Sequence, residues 1–189
     1  MLNGKVVIIS APSGAGKSTI VNFLLKVFTN LSFSVSVTTR KIRTDEKEGR
    51  DYYFISKEEF KKLILENKLV EWEEVYDGDF KGTLKSEVES IISKKKHIIF
   101  DVDVKGGLSL KKYFGESGLS IFINVSSIDI LKKRLINRGT ESNEEIEERL
   151  LKAKEEFSLK NKFDLIIDNN DLSDTLKNLK NTVQKFINN

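Results

Sequence analysis

The 189-residue chain is predicted to be an α/β protein: a parallel sheet flanked by helices on both faces, with a small mixed α+β subdomain inserted. Three observations predict this. Apolar, β-branched runs alternate along the chain with segments whose apolar residues recur at helical spacing. The first such run leads straight into a glycine loop, APSGAGKST at residues 11–19, and then into a helix. The stretch from 37 to 83 breaks the alternation, which marks it as an insertion rather than another βα unit.

Each element has its own local reason. Lys5 to Ser10 (KVVIIS) is a continuous apolar run, as in a strand buried on both faces. Lys17 to Phe28 carries Ile20, Val21, Leu24, Leu25 and Phe28 on one helical face. Ser32 to Val37 (SFSVSV) alternates and predicts one strand. A polar stretch from Thr38 to Asp51 is too long for a simple turn, and long ordered loops are usually functional. Tyr53 to Ile55 returns to strand. Ser56 and Glu59 form a capping box ahead of Phe60, Leu63, Ile64 and Leu65. Leu69 to Tyr76 predicts a strand, with Trp72 read as core, and Asp77-Gly78 a tight turn. Then follow a helix from Leu84 to Lys95, a buried strand from His97 to Val102, a helix from Leu108 to Phe114, a strand from Leu119 to Val125 and a helix from Ile128 to Arg138. Ser142 and Glu145 form a second capping box before a charged helix, Glu144 to Lys160. A strand at Asp164 to Ile167 and a helix at Leu172 to Ile187 complete the chain.

Bulk composition excludes several classes. There are no cysteines, so disulfides and thiolate chemistry are ruled out. Basic and acidic residues number 32 and 29 and are interleaved, which is no footprint for nucleic acid. Lys94-Lys95-Lys96 reads as a solvated helix end. No apolar run approaches the ~20 residues of a membrane span. The short apolar N-terminus runs into the glycine loop, and removing it as a signal peptide would destroy the motif, so a cytoplasmic protein is expected. The lone histidine, His97, opens a buried strand with no second histidine and no cysteine in the chain, and is given no role.

The loop carries the first chemistry. Ala11, Pro12, Ser13, Gly14, Ala15, Gly16, Lys17, Ser18 and Thr19 nearly fit G-x-x-x-x-G-K-[ST] and stand between strand and helix, the context that motif needs. Glycines let backbone N–H groups turn inward on phosphates, and the helix N-terminus adds its positive end. Lys17 supplies a cation and Ser18 a hydroxyl for Mg²⁺. Ala11 departs from the pattern and is tolerable where φ is negative. The expected ligand is Mg·ATP. Further on, Arg40 and Arg43 with Tyr52 make a second anion site, since the planar guanidinium fork suits phosphate. Asp101 and Asp103 stand at a strand's carboxyl end, where open α/β sheets bind ligands. Asp101 is assigned to the Mg²⁺ environment and Asp103 to the nucleotide.

At this point the chain resembles the guanylate kinase family. The signature T-T-R-x-x-R-x-x-E-x-x-G-x-x-Y-x-F is met by Thr38, Thr39, Arg40, Arg43, Glu46, Gly49, Tyr52 and Phe54. Glu71-Trp72, Gly82-Thr83, Asp101-Val102-Asp103 with Gly106, Arg134-Leu135 and Arg138-Gly139-Thr140 match as well. The resemblance implies a P-loop kinase core (1–36, 84–126 and 160–189), a GMP-binding subdomain (37–83) and a helical lid (about 127–159). It implies ATP:GMP phosphotransfer, with dGMP as a further acceptor. Arg40, Arg43 and Tyr52 would hold the GMP phosphate, while Ser36, Glu71, Thr83, Asp103 and Gly106 would form the guanine site. Lys17, Arg40, Arg138 and Arg149 would act on the transferring phosphates. Arg134 and Asn169, with Asn170 as the alternative to the latter, would seat ATP.

The bases offer a physical reason for the acceptor. Guanine's pairing edge presents two parallel N–H donors, and a carboxylate such as Glu71 only accepts. Adenine would leave that acceptor partly unpaired. Three departures from the family stand out: Ala11 for glycine, Ile42 for proline, and Lys81 for the usual tyrosine before Gly82, in a turn one residue longer. Lys81 is expected to replace the phenolic contact to the GMP phosphate with a point charge. The rival readings are a kinase for another small acceptor and a non-catalytic peptide-binding scaffold. Glu71 argues against the first and the intact Lys17-Ser18 against the second. Oligomeric state is left open.

Overall fold

The structure, a computed structural model, describes residues 4–44, 46–138 and 142–188. Nine strands fall into two sheets among these residues. The larger sheet has the order β2-β7-β1-β8-β9 and is parallel throughout: β1 (Val6–Ser10), β2 (Leu31–Phe33), β7 (His97–Val102), β8 (Gly118–Asn124) and β9 (Leu165–Asp168). All of β1 is buried because alternate residues serve opposite faces. Val7 and Ile9 pack among residues of α1 (Lys17–Val27), α5 (Ile128–Arg138), α6 (Asn143–Ser158) and α7 (Leu172–Asn188). Val6 and Ile8 join Val88 and Ile91 of α3 (Lys85–Ser93) and Leu110 and Phe114 of α4 (Val104–Phe114). This is why β1 reads as uninterrupted apolar residues. No helix among the described residues is long and apolar enough to cross a membrane.

The second sheet is mixed, in the order β4-β3-β6-β5: β3 (Ser36–Thr38), β4 (Tyr52–Phe54), β5 (Leu69–Tyr76) and β6 (Asp79–Leu84). It packs on α2 (Lys57–Leu65) through Val37, Phe60 and Leu69. Both capping boxes form as expected, Ser56 with Glu59 and Ser142 with Glu145.

Three expectations are corrected. The alternating run Ser32–Val37 is two strands, not one. The chain leaves the parallel sheet at Phe33 and enters the mixed sheet at Ser36, with Ser34 N–H donating to Ile99 O (3.1 Å) at the crossing. Alternation reports extended backbone and says nothing about which sheet receives it. Residues 79–84 form a strand that their glycine and charges had concealed; it pairs antiparallel with both β5 and β3. Trp72 is 46% exposed: it packs against Phe80 on the face that α2 covers, but β5 is the edge strand of the mixed sheet and nothing lies beyond it among the sheet's strands. The run 94–96 does cap a helix end, with Lys95 in positive φ. His97 accepts the Lys5 N–H through Nδ1 (3.0 Å), a structural bond.

Candidate functional site

The carboxyl ends of β1 and β7 are in register, Ile9 beside Asp101 and Ser10 beside Val102. The glycine loop leaves β1 at that edge. Gly14 and Gly16 sit at φ of 85° and 90°, the left-handed region that favours glycine. Ala11 does not: the described non-glycine residues with positive φ are Asn67 and Lys95, so its methyl group is accommodated and buried. The loop is held from below. Asn169 Nδ2 donates to Ala15 O at 2.8 Å, and Arg134 bridges Ala15 O and Asn169 O, each at 3.3 Å. Asn169 is buried and Asn170 exposed, so Asn169 is the one that meets the loop.

Lys17 and Ser18 open α1 and converge on Asp101. Lys17 Nζ lies 3.0 Å from Asp101 Oδ1 and donates to Val102 O at 2.7 Å. Burial works to lower this ammonium, but the Asp101 carboxylate outweighs it and holds Lys17 above its ordinary value. Ser18 Oγ donates to Asp101 Oδ2 at 3.2 Å. A hydroxyl and a carboxylate beside a phosphate loop suit Mg²⁺, which takes one or two protein oxygens and completes its shell with water and phosphate.

Across a cleft of about 1160 Å³ stands the mixed sheet. The lining includes residues 11–19, Ser36, Arg40, Arg43, Tyr52, Glu71, Lys81, Asp101, Asp103, Arg134 and Arg149. Glu71 is 8% exposed and faces Thr83 in the β5–β6 register. Thr83 Oγ1 donates to Glu71 Oε1 at 2.7 Å. Burial pushes Glu71 up to about 7, against that hydrogen bond. Gly106 lies behind: a Cβ there would come within 3.1 Å of Glu71 Oε2 and 3.2 Å of Asp103 Oδ1. Asp103 is not a strand residue. It caps α4, its Oδ1 accepting the Gly106 N–H at 2.9 Å.

Arg40 is oriented by Glu46 through two parallel bonds of 2.9 and 2.7 Å, with its guanidinium over the Tyr52 and Phe54 rings. Lys81 Nζ reaches Tyr52 Oη at 3.4 Å. Arg149 Nη1 donates to Ser13 Oγ at 2.7 Å. Arg138 ends α5, but its side chain, like residues 139–141, lies outside the described residues.

Sequence reasoning missed three acids and a lysine. Glu46 was visible only as a matched motif position; its contact with Arg40 needs the loop's path. Glu73 follows Glu71 by two on β5, an alternation that signals a shared face. Burial and the neighbouring Asp103 carboxylate push Glu73 up to about 8. Burial also works to raise Asp103, but bonds from Glu73 and the Gly106 N–H hold it below its ordinary value. Glu156, buried on α6 and lining the cleft, is pushed up to about 7 by burial, against Lys152. Lys152 sits one turn before Glu156 and reaches the mixed sheet.

Comparison with known proteins agrees with this geometry. The family described as guanylate kinase matches residues 3–186. Guanylate kinase of Bacteroides fragilis is 48% identical over 183 residues, spanning 97% of this chain and 90% of that one. The enzyme of Porphyromonas gingivalis is 48% identical over 184 residues, spanning 97% and 98%. The crystal structure of guanylate kinase from Anaplasma phagocytophilum superposes with a TM-score of 0.79 at 31% identity, over 99% of this chain and 88% of that one. With the phosphate loop and a carboxylate-lined second site facing each other across one cleft, the chain belongs to the guanylate kinase family.

Proposed function

We propose that the chain transfers the γ-phosphoryl group of ATP to GMP, giving GDP, with a division of labour that follows the cleft. Residues 11–19 cradle the ATP phosphates, and Arg134 and Asn169 brace the loop and the adenine end. Ser18 and Asp101 would hold Mg²⁺, which when bound neutralises charge on the phosphate oxygens. Residues 37–83 act as the GMP-binding subdomain and about 127–159 as the lid. Arg40, Arg43 and Tyr52 take the GMP phosphate, with Lys81 beside Tyr52 adding a point charge. Glu71 accepts the two guanine donors, with Thr83 fixing its orientation; Ser36 and Asp103 complete the ring of polar groups, and Gly106 gives the space.

No protein nucleophile is required. Phosphoryl transfer rests on alignment and charge neutralisation, here by Lys17, Arg40, Arg138 and Arg149. Closure excludes water, which would otherwise compete as acceptor.

The observation that carries the reading is Glu71: a buried carboxylate with one oxygen held by Thr83, facing the same cleft as Lys17. The test is ADP formation in a coupled assay with Mg·ATP and GMP, AMP, CMP or UMP supplied singly. Turnover with GMP alone is expected. Turnover with another acceptor would overturn the guanine assignment, and none with any would overturn the kinase reading.

A further inference from the structure

Beyond these assignments, the face of α6 that borders the cleft carries Arg149, Lys152 and Glu156, spaced three and four apart. Arg149 points at the phosphate loop through Ser13. Lys152 points the other way, into the mixed sheet. Its Nζ donates to Val75 O at 3.1 Å, lies 3.9 Å from Glu73 Oε1 and sits 5.1 Å from the centre of the Tyr76 ring. The Arg149 guanidinium lies 6.0 Å from the same ring. A surface lysine gains nothing by ordering its stem, which forfeits rotamer entropy. Here the side chain is only 17% exposed and meets a carbonyl, a carboxyl and a ring, all on β5.

The strand is shaped to receive it. The β5–β6 register shifts between Glu74 and Tyr76, leaving Val75 without a cross-strand partner. That irregularity frees the carbonyl that Lys152 occupies, and bulges beside sites commonly re-aim a group in this way. The same strand carries Glu71 four residues earlier, and the same helix carries Arg149 three residues earlier. Rigid elements therefore connect the guanine-recognising carboxylate to the arginine at the phosphate loop.

Resting on the guanylate kinase reading, we infer that Lys152 and Tyr76 form a latch between β5 and α6, and that Lys152 is a positioning residue for phosphoryl transfer, acting through Arg149. Lys152 ties the acceptor strand to the helix, and the Tyr76 ring is a contact that both cations share. When the acceptor site draws in, the latch carries Arg149 with it.

The test uses K152M, which keeps the stem and removes the charge, K152R, which restores a cation, and Y76L, which removes the ring. The chain has no cysteine, so labels at K61C on α2 and K154C on α6, both exposed, report the separation of the two bodies by spin-label distance. In K152M the distance distribution should broaden without nucleotide. Its kcat with GMP should fall about tenfold or more while the ATP KM holds, since small misplacements act on the transfer step. K152R should recover most of both. An unchanged distance overturns the latch, and so does an unchanged kcat. If K152M fails to fold, Y76L carries the same two readouts. GMP turnover by the wild-type chain, run alongside, tests the underlying reading separately, because the label distance needs no turnover.

Discussion

At the scale of single residues, Glu71 concentrates the most chemistry. Replacing it with alanine should lower GMP turnover by at least about 100-fold, since sites built on hydrogen bonds depend on them steeply. ATP binding, measured by titration calorimetry, should persist. Its ionisation also has a signature in stability. Burial raises Glu71 from 4.5 to about 7, so the folded protein holds this proton more tightly than the unfolded chain. The contribution is full below the unfolded value and is lost as pH rises through 7. E71Q cannot ionise. It should therefore lose less stability than the wild type between pH 5 and pH 9, by about 3 kcal/mol at most, read from urea unfolding at each pH. Equal losses would show that Glu71 ionises freely. Ala11 makes the opposite point: a departure from a motif is harmless where the backbone angle does not call for glycine.

At the scale of elements, the helix–sheet contacts set what can change. Gly107 on α4 is buried against β1, where an added Cβ would overlap Ser10 Oγ and approach Phe163 Cε1 at 3.2 Å. Ser10 Oγ in turn donates to Asp103 O. G107A should destabilise the fold by about 1–3 kcal/mol, lowering the thermal midpoint by several degrees. An unchanged midpoint would mean that α4 shifts freely. The elements were legible where the pattern was local. Both capping boxes, the helix Ile128–Arg138 and the strands Leu69–Tyr76 and His97–Val102 stand where periodicity and end signals put them. The strand 79–84 was hidden because Gly82 and Lys81 weaken β propensity, and cross-strand pairing with β3 and β5 overrides it.

At the scale of the molecule, the proposed ATP and GMP sites face one cleft between two sheets, and binding should appear as stability of the whole. GMP at about 100 times its Kd should add about 2.7 kcal/mol to unfolding, and Mg·ATP should add its own increment. In E71A the GMP increment should vanish while that of ATP remains. A GMP increment surviving in E71A would move the guanine site elsewhere. The arrangement explains why the cations proposed to act on the transferring phosphates come from distant parts of the chain. Lys17, Arg40 and Arg149 reach one cleft because the mixed sheet folds over the carboxyl edge of the parallel one.

By itself the sequence determined what is written in short spacing: an α/β core, a glycine loop of phosphate-binding type on a helix start, and the motif positions that mark the guanylate kinase family. These rest on periods of two and 3.6 residues and on motifs whose members act together locally. Only the tertiary structure decided which sheet each half of 32–37 joins, that Asp103 caps a helix, that Asn169 rather than Asn170 meets the loop, and that Glu46, Glu73, Glu156 and Lys152 border the site. The Asp103 cap and the Arg40–Glu46 pair span only three and six residues and needed the backbone path, whereas the others depend on contacts far apart in the chain, 77 residues for Lys152 with Val75 and 154 for Asn169 with Ala15. Local pattern carries no information about such distances, because the free energy that fixes them comes from burial and pairing once the chain has closed on itself.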